Sequence, residues 1–267
     1  MAGYTPVIKK SMAIYLEGLR DDLASRRDKE YFWPNGTQVY TGKQGSGKTI
    51  SAVKHVLSLK FRYPKSLLVS NLILNKDVLK PRTFESKEEL LVLLNEIDYT
   101  KEYIVFQSVD DLHLVLVLCN NGKYGVIYLI DEIHTYFNAL ESKNIPMYVF
   151  TEISQQRKQR KLIIGTSQLF LRMAKPLREQ CDNLIMCKTK FGFWTFQTAY
   201  DGMTLDQDYD GKLAGNVKKR GWFFQTRDLR SSFDTYQKVS SAAIDMSMLE
   251  PVSKTELRVK GKKVKFK

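Results

Sequence analysis

The chain has 267 residues, 43% of them apolar, and a formal net charge of +13 from 42 basic and 29 acidic side chains. That apolar share supports a packed core and excludes wholesale disorder. Three cysteines, Cys119, Cys181 and Cys187, with no Cys-x-x-Cys pair, exclude a disulfide scaffold and point to a reducing, cytoplasmic compartment.

In chain order, Ile8, Met12, Tyr15, Leu16, Leu19 and Leu23 recur at helical spacing, so residues 1–36 read as an amphipathic, repeatedly charged arm rather than a signal peptide. Residues 32–36 turn the chain into a short strand over 37–41. Then comes Gly42-Lys43-Gln44-Gly45-Ser46-Gly47-Lys48-Thr49, followed by a helix from Ile50 with apolar positions Val53, Val56 and Leu57. Strand, glycine loop and helix form the phosphate-binding loop unit. The glycines allow the positive-φ turns that wrap backbone N–H groups around phosphates, and the helix aims its positive end at the same place. Lys48 brings a point charge to the β/γ oxygens and Thr49 a hydroxyl for Mg²⁺.

Downstream, residues 66–70 read as a strand, 85–97 as a helix, 103–106 as a strand and 109–120 as a helix ended by Asn121-Gly122. Residues 124–130 are a continuous apolar run of the type that makes a central parallel strand, and they end on Asp131-Glu132. Acids at that end of a strand lie where open α/β sheets bind ligands. Asp131 is placed to hold the Mg²⁺ shell and Glu132 to deprotonate a water; the plain alternative is the acidic start of a helix running on from Ile133. No apolar run reaches the ~18 residues of a membrane helix. Asn75-Lys76-Asp77 is a poor guanine signature, one residue short and on the wrong side of Asp131, so ATP is the expected nucleotide.

Residues 146–161 read as a helix whose end carries Arg157, Lys158, Arg160 and Lys161, leading into an apolar strand that stops on Thr166-Ser167-Gln168. Gln168 would either reach the γ-phosphate or the attacking water, or merely cap the strand. Residues 169–180 return to helix and 182–187 to strand. The aromatic stretches 191–200 and 221–226 suggest an antiparallel extension at the sheet edge, with Trp194, Phe196, Thr198 and Tyr200 on one face. Covering the sheet is the expected use of these rings, with base stacking the alternative. Residues 254–267 alternate apolar residues with lysine, as an edge strand or a basic tail. Seven basic and no acidic side chains lie between Arg157 and Arg178. A polyanion such as DNA is the natural partner, with an anionic membrane or a solvated surface as the alternatives.

Together the phosphate loop, Leu129-Ile130-Asp131-Glu132, the basic helix leading to Gln168, residues 177–182 and Phe233-Asp234-Thr235 resemble, in order, the zonula occludens toxin-like ATPases. That family includes filamentous-phage assembly proteins within the HerA/FtsK group of DNA translocases and packaging ATPases. The resemblance implies a P-loop, RecA-like three-layer α/β fold with a mainly parallel sheet and an antiparallel edge, divided as arm 1–36, ATPase domain 37–240 and basic tail 241–267. It also implies an Mg²⁺-dependent ATP hydrolase working on DNA as a hexameric ring. Arg157 or Arg160, with Arg178 in reserve, would complete the neighbouring subunit's site. The membrane segment of the phage assembly members is not found here, which favours genome loading, with a capsid or membrane-anchored partner. A nucleotide-gated DNA-binding scaffold is the alternative function.

Overall fold

The computed structural model describes residues 28–75, 77, 79–207 and 213–233. The expected arm up to residue 27, Asp234-Thr235 and the basic tail lie outside the described residues.

Parallel strands β1 (Gly36–Thr41), β2 (Leu67–Ser70), β3 (Lys80–Arg82), β4 (Glu102–Val105), β5 (Val126–Ile130) and β6 (Lys161–Ser167) are joined to β7 (Cys181–Lys190), β8 (Trp194–Asp201) and β11 (Val217–Phe224) in one nine-stranded sheet. Its order is β11-β8-β7-β1-β6-β5-β2-β4-β3, and a small separate ribbon pairs β9 (Asp206–Gln207) with β10 (Leu213–Ala214). β7 is parallel to β1, whereas β8 and β11 run antiparallel to their neighbours, giving the expected mainly parallel sheet with an antiparallel edge.

Side-chain alternation divides the interior into two cores, so the domain has three layers. Val39, Val69, Tyr128 and Ile163 face a core built with helices α2 (Lys87–Glu96), α3 (Val109–Leu118) and α4 (Met147–Ser154). Tyr40, Leu68, Leu129 and Ile164 face the other core, against α1 (Lys48–Arg62). Every residue of β5 and β6 is buried, as the continuous apolar runs require of strands covered on both faces.

Four expectations are corrected. From Ile133 there is only one 3₁₀ turn, Ile133–Thr135, and the 169–180 segment holds only a 3₁₀ turn, Phe170–Arg172, and the four-residue α6 (Lys175–Arg178). The two failures have one cause, since these segments pair with each other. Asn138 bridges Met173, Ala139 N–H donates to the Arg172 carbonyl and Ala174 N–H to that of Phe137. Backbone groups satisfied across a loop pair have no need of a helix. The 146–161 helix is also interrupted after Ser154; a short α5 (Gln156–Gln159) follows, and Arg160 then takes a left-handed φ of 53° to turn into β6. Fourth, the aromatic face of the edge strands does not cover a core: Trp222 and Phe224 are exposed, while Trp194 and Phe196 are half-buried.

Candidate functional site

The loop between β1 and α1 wraps as its glycines dictate. Gly42, Gly45 and Gly47 all have positive φ, and the approach is close at two of them. A Cβ on Gly47 would lie 2.6 Å from Thr189 Oγ1, and one on Gly42 would lie 2.7 Å from the Cys187 carbonyl oxygen. β7 therefore backs the loop, and Thr189 Oγ1 donates to the Ser46 carbonyl at 2.9 Å. Thr189 is held in turn by Thr195 at 2.9 Å and by Gln225 Nε2 at 3.3 Å, so the antiparallel extension buttresses the loop. Lys43, Gln44 and Gly45 are exposed, Ile50 is buried in the first turn of α1, and Lys48 is buried with Nζ 3.4 Å from the Lys43 carbonyl.

The paired acids sit at the C-terminal tip of β5, and the fold brings them to the loop. Thr49 Oγ1 donates to Asp131 Oδ1 at 2.8 Å, and Thr166 Oγ1 donates to the same oxygen at 2.7 Å. Because β6 lies between β1 and β5, Thr166 is placed to tie the two motifs together. Its hydroxyl also accepts from Glu132 N–H at 2.9 Å. Asn71, just beyond β2, brackets Asp131 from the other side: its Oδ1 accepts from Asp131 N–H at 2.8 Å and its Nδ2 donates to the Asp131 carbonyl at 2.9 Å.

Glu132 takes a left-handed φ of 48°, which costs a non-glycine residue energy and is typical of functional turns. Its Oε2 is buried without a well-directed hydrogen bond, although His134 Nδ1 stands 3.3 Å away. Burial holds the His134 pKa below its ordinary value; Arg172 and Lys48 act in the same direction, Glu132 and Asp131 against it.

Gln168 lies beside the loop, lining one cavity with Gly42, Lys43, Gln44 and Gly45. It is exposed beyond β6, its carbonyl accepting from Thr41 Oγ1 at 3.4 Å, and the cavity, of about 440 Å³, is also flanked by Ser46, Met186 and Lys188. A second cavity, of about 390 Å³, opens on the other side of the loop between Gly47, Lys48, Thr49, Thr189 and Arg230. Arg157 is exposed on α5, and the Arg160 guanidinium stacks on Tyr31 at 4.5 Å while donating to its hydroxyl at 2.7 Å. Both precede β6, at the opposite end of the sheet from the loop, roughly one strand length or about 20 Å away. Neither can act on its own chain's loop. Arg178, on α6, has a buried Nε without a partner.

The residues missed by sequence reading are Thr166, Asn71, His134, Thr189 and Gln225. For the first two a signal existed, since each is a polar residue within one position of the C-terminal end of a buried strand, on the ligand side of the sheet. The last two act through strand pairing that no local pattern reveals.

A glycine loop opening α1, joined through a hydroxyl to an acid at a nearby parallel strand tip, defines the P-loop class of α/β proteins. The family profile of Zonular occludens toxin (Zot) matches residues 37–218, more than half of the chain. This chain belongs to that family. No curated protein sequence matches it. Among solved structures it is similar to the genome packaging NTPase B204 of Sulfolobus turreted icosahedral virus 2 in complex with ATP-gammaS, at 13% identity over 70% of this chain and 98% of that one, with a TM-score of 0.49. The N-terminal domain of zonular occludens toxin from Neisseria meningitidis is similar at 13% identity, over 74% and 98% of the two chains, with a TM-score of 0.46. The DNA-packaging ATPase B204 from Sulfolobus turreted icosahedral virus is similar at 14% identity, over 69% and 97%, with a TM-score of 0.44.

Proposed function

We propose that the chain is an Mg²⁺-dependent ATP hydrolase that moves DNA in virion assembly or genome packaging. The observation that carries the hydrolase reading is the 2.8 Å bond from Thr49 to Asp131, which puts the loop hydroxyl and the acid where they would share one ion. Unpartnered buried polar atoms beside it, Ser46 Oγ and Glu132 Oε2, suit a polar ligand in the same place. Thr49 and Asp131 would hold Mg²⁺, which when bound neutralises charge on the phosphate oxygens. The backbone N–H groups of residues 43–49 bind the phosphates and Lys48 adds its charge. Glu132 takes the proton of the attacking water, and Thr166 keeps Glu132 and Asp131 in register.

The DNA part of the reading is supported by the net charge of +13 and by family membership. A ring, expected to be a hexamer, would bring Arg157, Arg160 or Arg178 of one subunit to the next subunit's nucleotide; a capsid or membrane-anchored component would receive the assembly. No helix among the described residues is long and apolar enough to cross a membrane.

Hydrolysis by purified wild-type, Lys48→Ala and Glu132→Gln proteins, each with and without DNA, tests the proposal. Loss of turnover in both variants and stimulation of the wild type by DNA are expected. Parental rates in the variants would remove the catalytic assignment, and turnover indifferent to DNA would leave a nucleotide-gated scaffold instead of a motor.

A further inference from the structure

The geometry points to the outer face of β7, β8 and β11 as a platform on which the unpaired bases of a single-stranded nucleic acid stack, with Lys188, Lys190 and Arg220 facing its phosphates. Strand register places these side chains on one face: Lys188 and Lys190 of β7 oppose Phe196 and Trp194 of β8, which oppose Trp222 and Phe224 of β11, with Arg220 opposite Thr198. The rings are contiguous. Trp194 lies 4.6 Å from Phe196, 5.7 Å from Phe224 and 5.9 Å from Trp222 between centroids, and Phe193 extends the cluster at 5.9 Å from Phe224. Yet the cluster is not covered, since Trp222 is 59% exposed, Phe224 50% and Phe193 47%. Contiguous exposed aromatic surface of this kind marks a contact site.

Charge selects the occupant. Neither residues 183–200 nor residues 215–227 contain an acidic side chain, and Lys190 Nζ lies 5.4 Å above the Phe196 ring. A second copy of this chain, at +13, would repel such a face, and so would its own residues 254–267 with their seven basic side chains. Exposed ring faces interleaved with lysines match an unstacked polyanion, whose bases each offer a π-face; a duplex keeps those faces stacked inside. The platform also communicates with the phosphate loop. Thr189, between Lys188 and Lys190, donates to the Ser46 carbonyl, so a strand that grips the nucleic acid also backs the nucleotide.

The proposal rests on the DNA reading above, and its test is separable from it. The sequence has three tryptophans, Trp33, Trp194 and Trp222, so the full chain carrying Trp33→Phe reports from the platform alone. An oligothymidine of about 20 nucleotides is expected to quench its fluorescence saturably, at least roughly ten-fold more tightly than a duplex of the same length. Binding should weaken with salt. On the native background, Trp222→Leu should lose roughly ten-fold or more in affinity, measured by anisotropy of labelled oligothymidine, and Trp222→Phe should stay within about three-fold, because a planar ring is what stacking needs. DNA-free hydrolysis should be unchanged in both.

Several results would overturn the proposal: no quenching, equal quenching by the duplex or by polyglutamate, Leu binding as well as Phe, quenching only by anionic phospholipid vesicles, or a Trp222→Leu effect confined to oligomeric state in sedimentation. If Lys48→Ala hydrolyses normally while oligothymidine still quenches, the hydrolase reading falls and the platform stands. If Lys48→Ala abolishes hydrolysis and nothing quenches, the platform alone falls.

Discussion

One hydroxyl, that of Thr166, organises the two acids: it donates to Asp131 Oδ1 and accepts from Glu132 N–H. Valine at this position keeps the shape and removes both bonds. Thr166→Val is expected to lower kcat by about 10- to 100-fold, as loss of a positioning contact does, with nucleotide affinity within a few-fold, while Thr166→Ser retains most of the rate. Steady-state hydrolysis paired with equilibrium nucleotide binding reads the two parameters separately. A different residue tests the loop. Gly47 has a φ of +84° and Thr189 Oγ1 only 2.6 Å from where a Cβ would stand. Gly47→Ala must therefore strain the backbone and displace Thr189 together, and loss of nucleotide binding with the fold retained, by circular dichroism and a binding titration, is the expected result.

At the scale of the element, α1 carries the loop and is fixed at its far end by a buried cation. Lys60 Nζ donates to the carbonyls of Pro64 at 2.9 Å, Ser66 at 2.6 Å and Tyr99 at 2.8 Å, anchoring the helix C-terminus to the start of β2 and to the segment before β4. Burial lowers the Lys60 pKa to about 8. Lys60→Met leaves these carbonyls without that donor and should cost about 1–3 kcal/mol, seen as a lower urea midpoint at unchanged slope. The same helix carries His55, whose Nδ1 lies 2.9 Å from the Tyr40 hydroxyl and whose pKa burial pulls down to about 4. A folded-state value below the ordinary 6.5 means that the unfolded chain binds the proton first. The stabilisation is therefore present above about pH 6.5 and is lost as the pH falls toward 4. His55→Gln is expected to flatten the stability profile in that window, by urea titration at stepped pH.

For the whole molecule, the question is what completes the nucleotide site. Arg157 and Arg160 lie across the sheet from their own loop, and Arg160 is already engaged by Tyr31. If a ring supplies the charge, the exposed Arg157 is the freer candidate. Arg157→Ala subunits should then bind nucleotide normally and hydrolyse slowly, and mixing them with Glu132→Gln subunits should restore part of the activity, since each variant retains the half that the other lacks. Titrating one variant into the other at constant total protein checks this; a linear sum of the separate rates contradicts a shared site.

Alternating strand and helix patterns, the glycine loop and the acid pair at a buried strand tip were legible in the residues alone, because each depends on neighbours within one turn or one pleat. So was the antiparallel edge. What only the tertiary structure decided are contacts between distant segments: β6 inserting Thr166 between the loop and Asp131, Thr189 bracing Ser46, and residues 137–139 pairing with 172–174 in place of two expected helices. Exposure belongs to the same class. Alternation put Trp194 and Phe196 on one face, but whether that face met a core or solvent depended on where neighbouring layers end, which is a property of the packed domain and not of the strand.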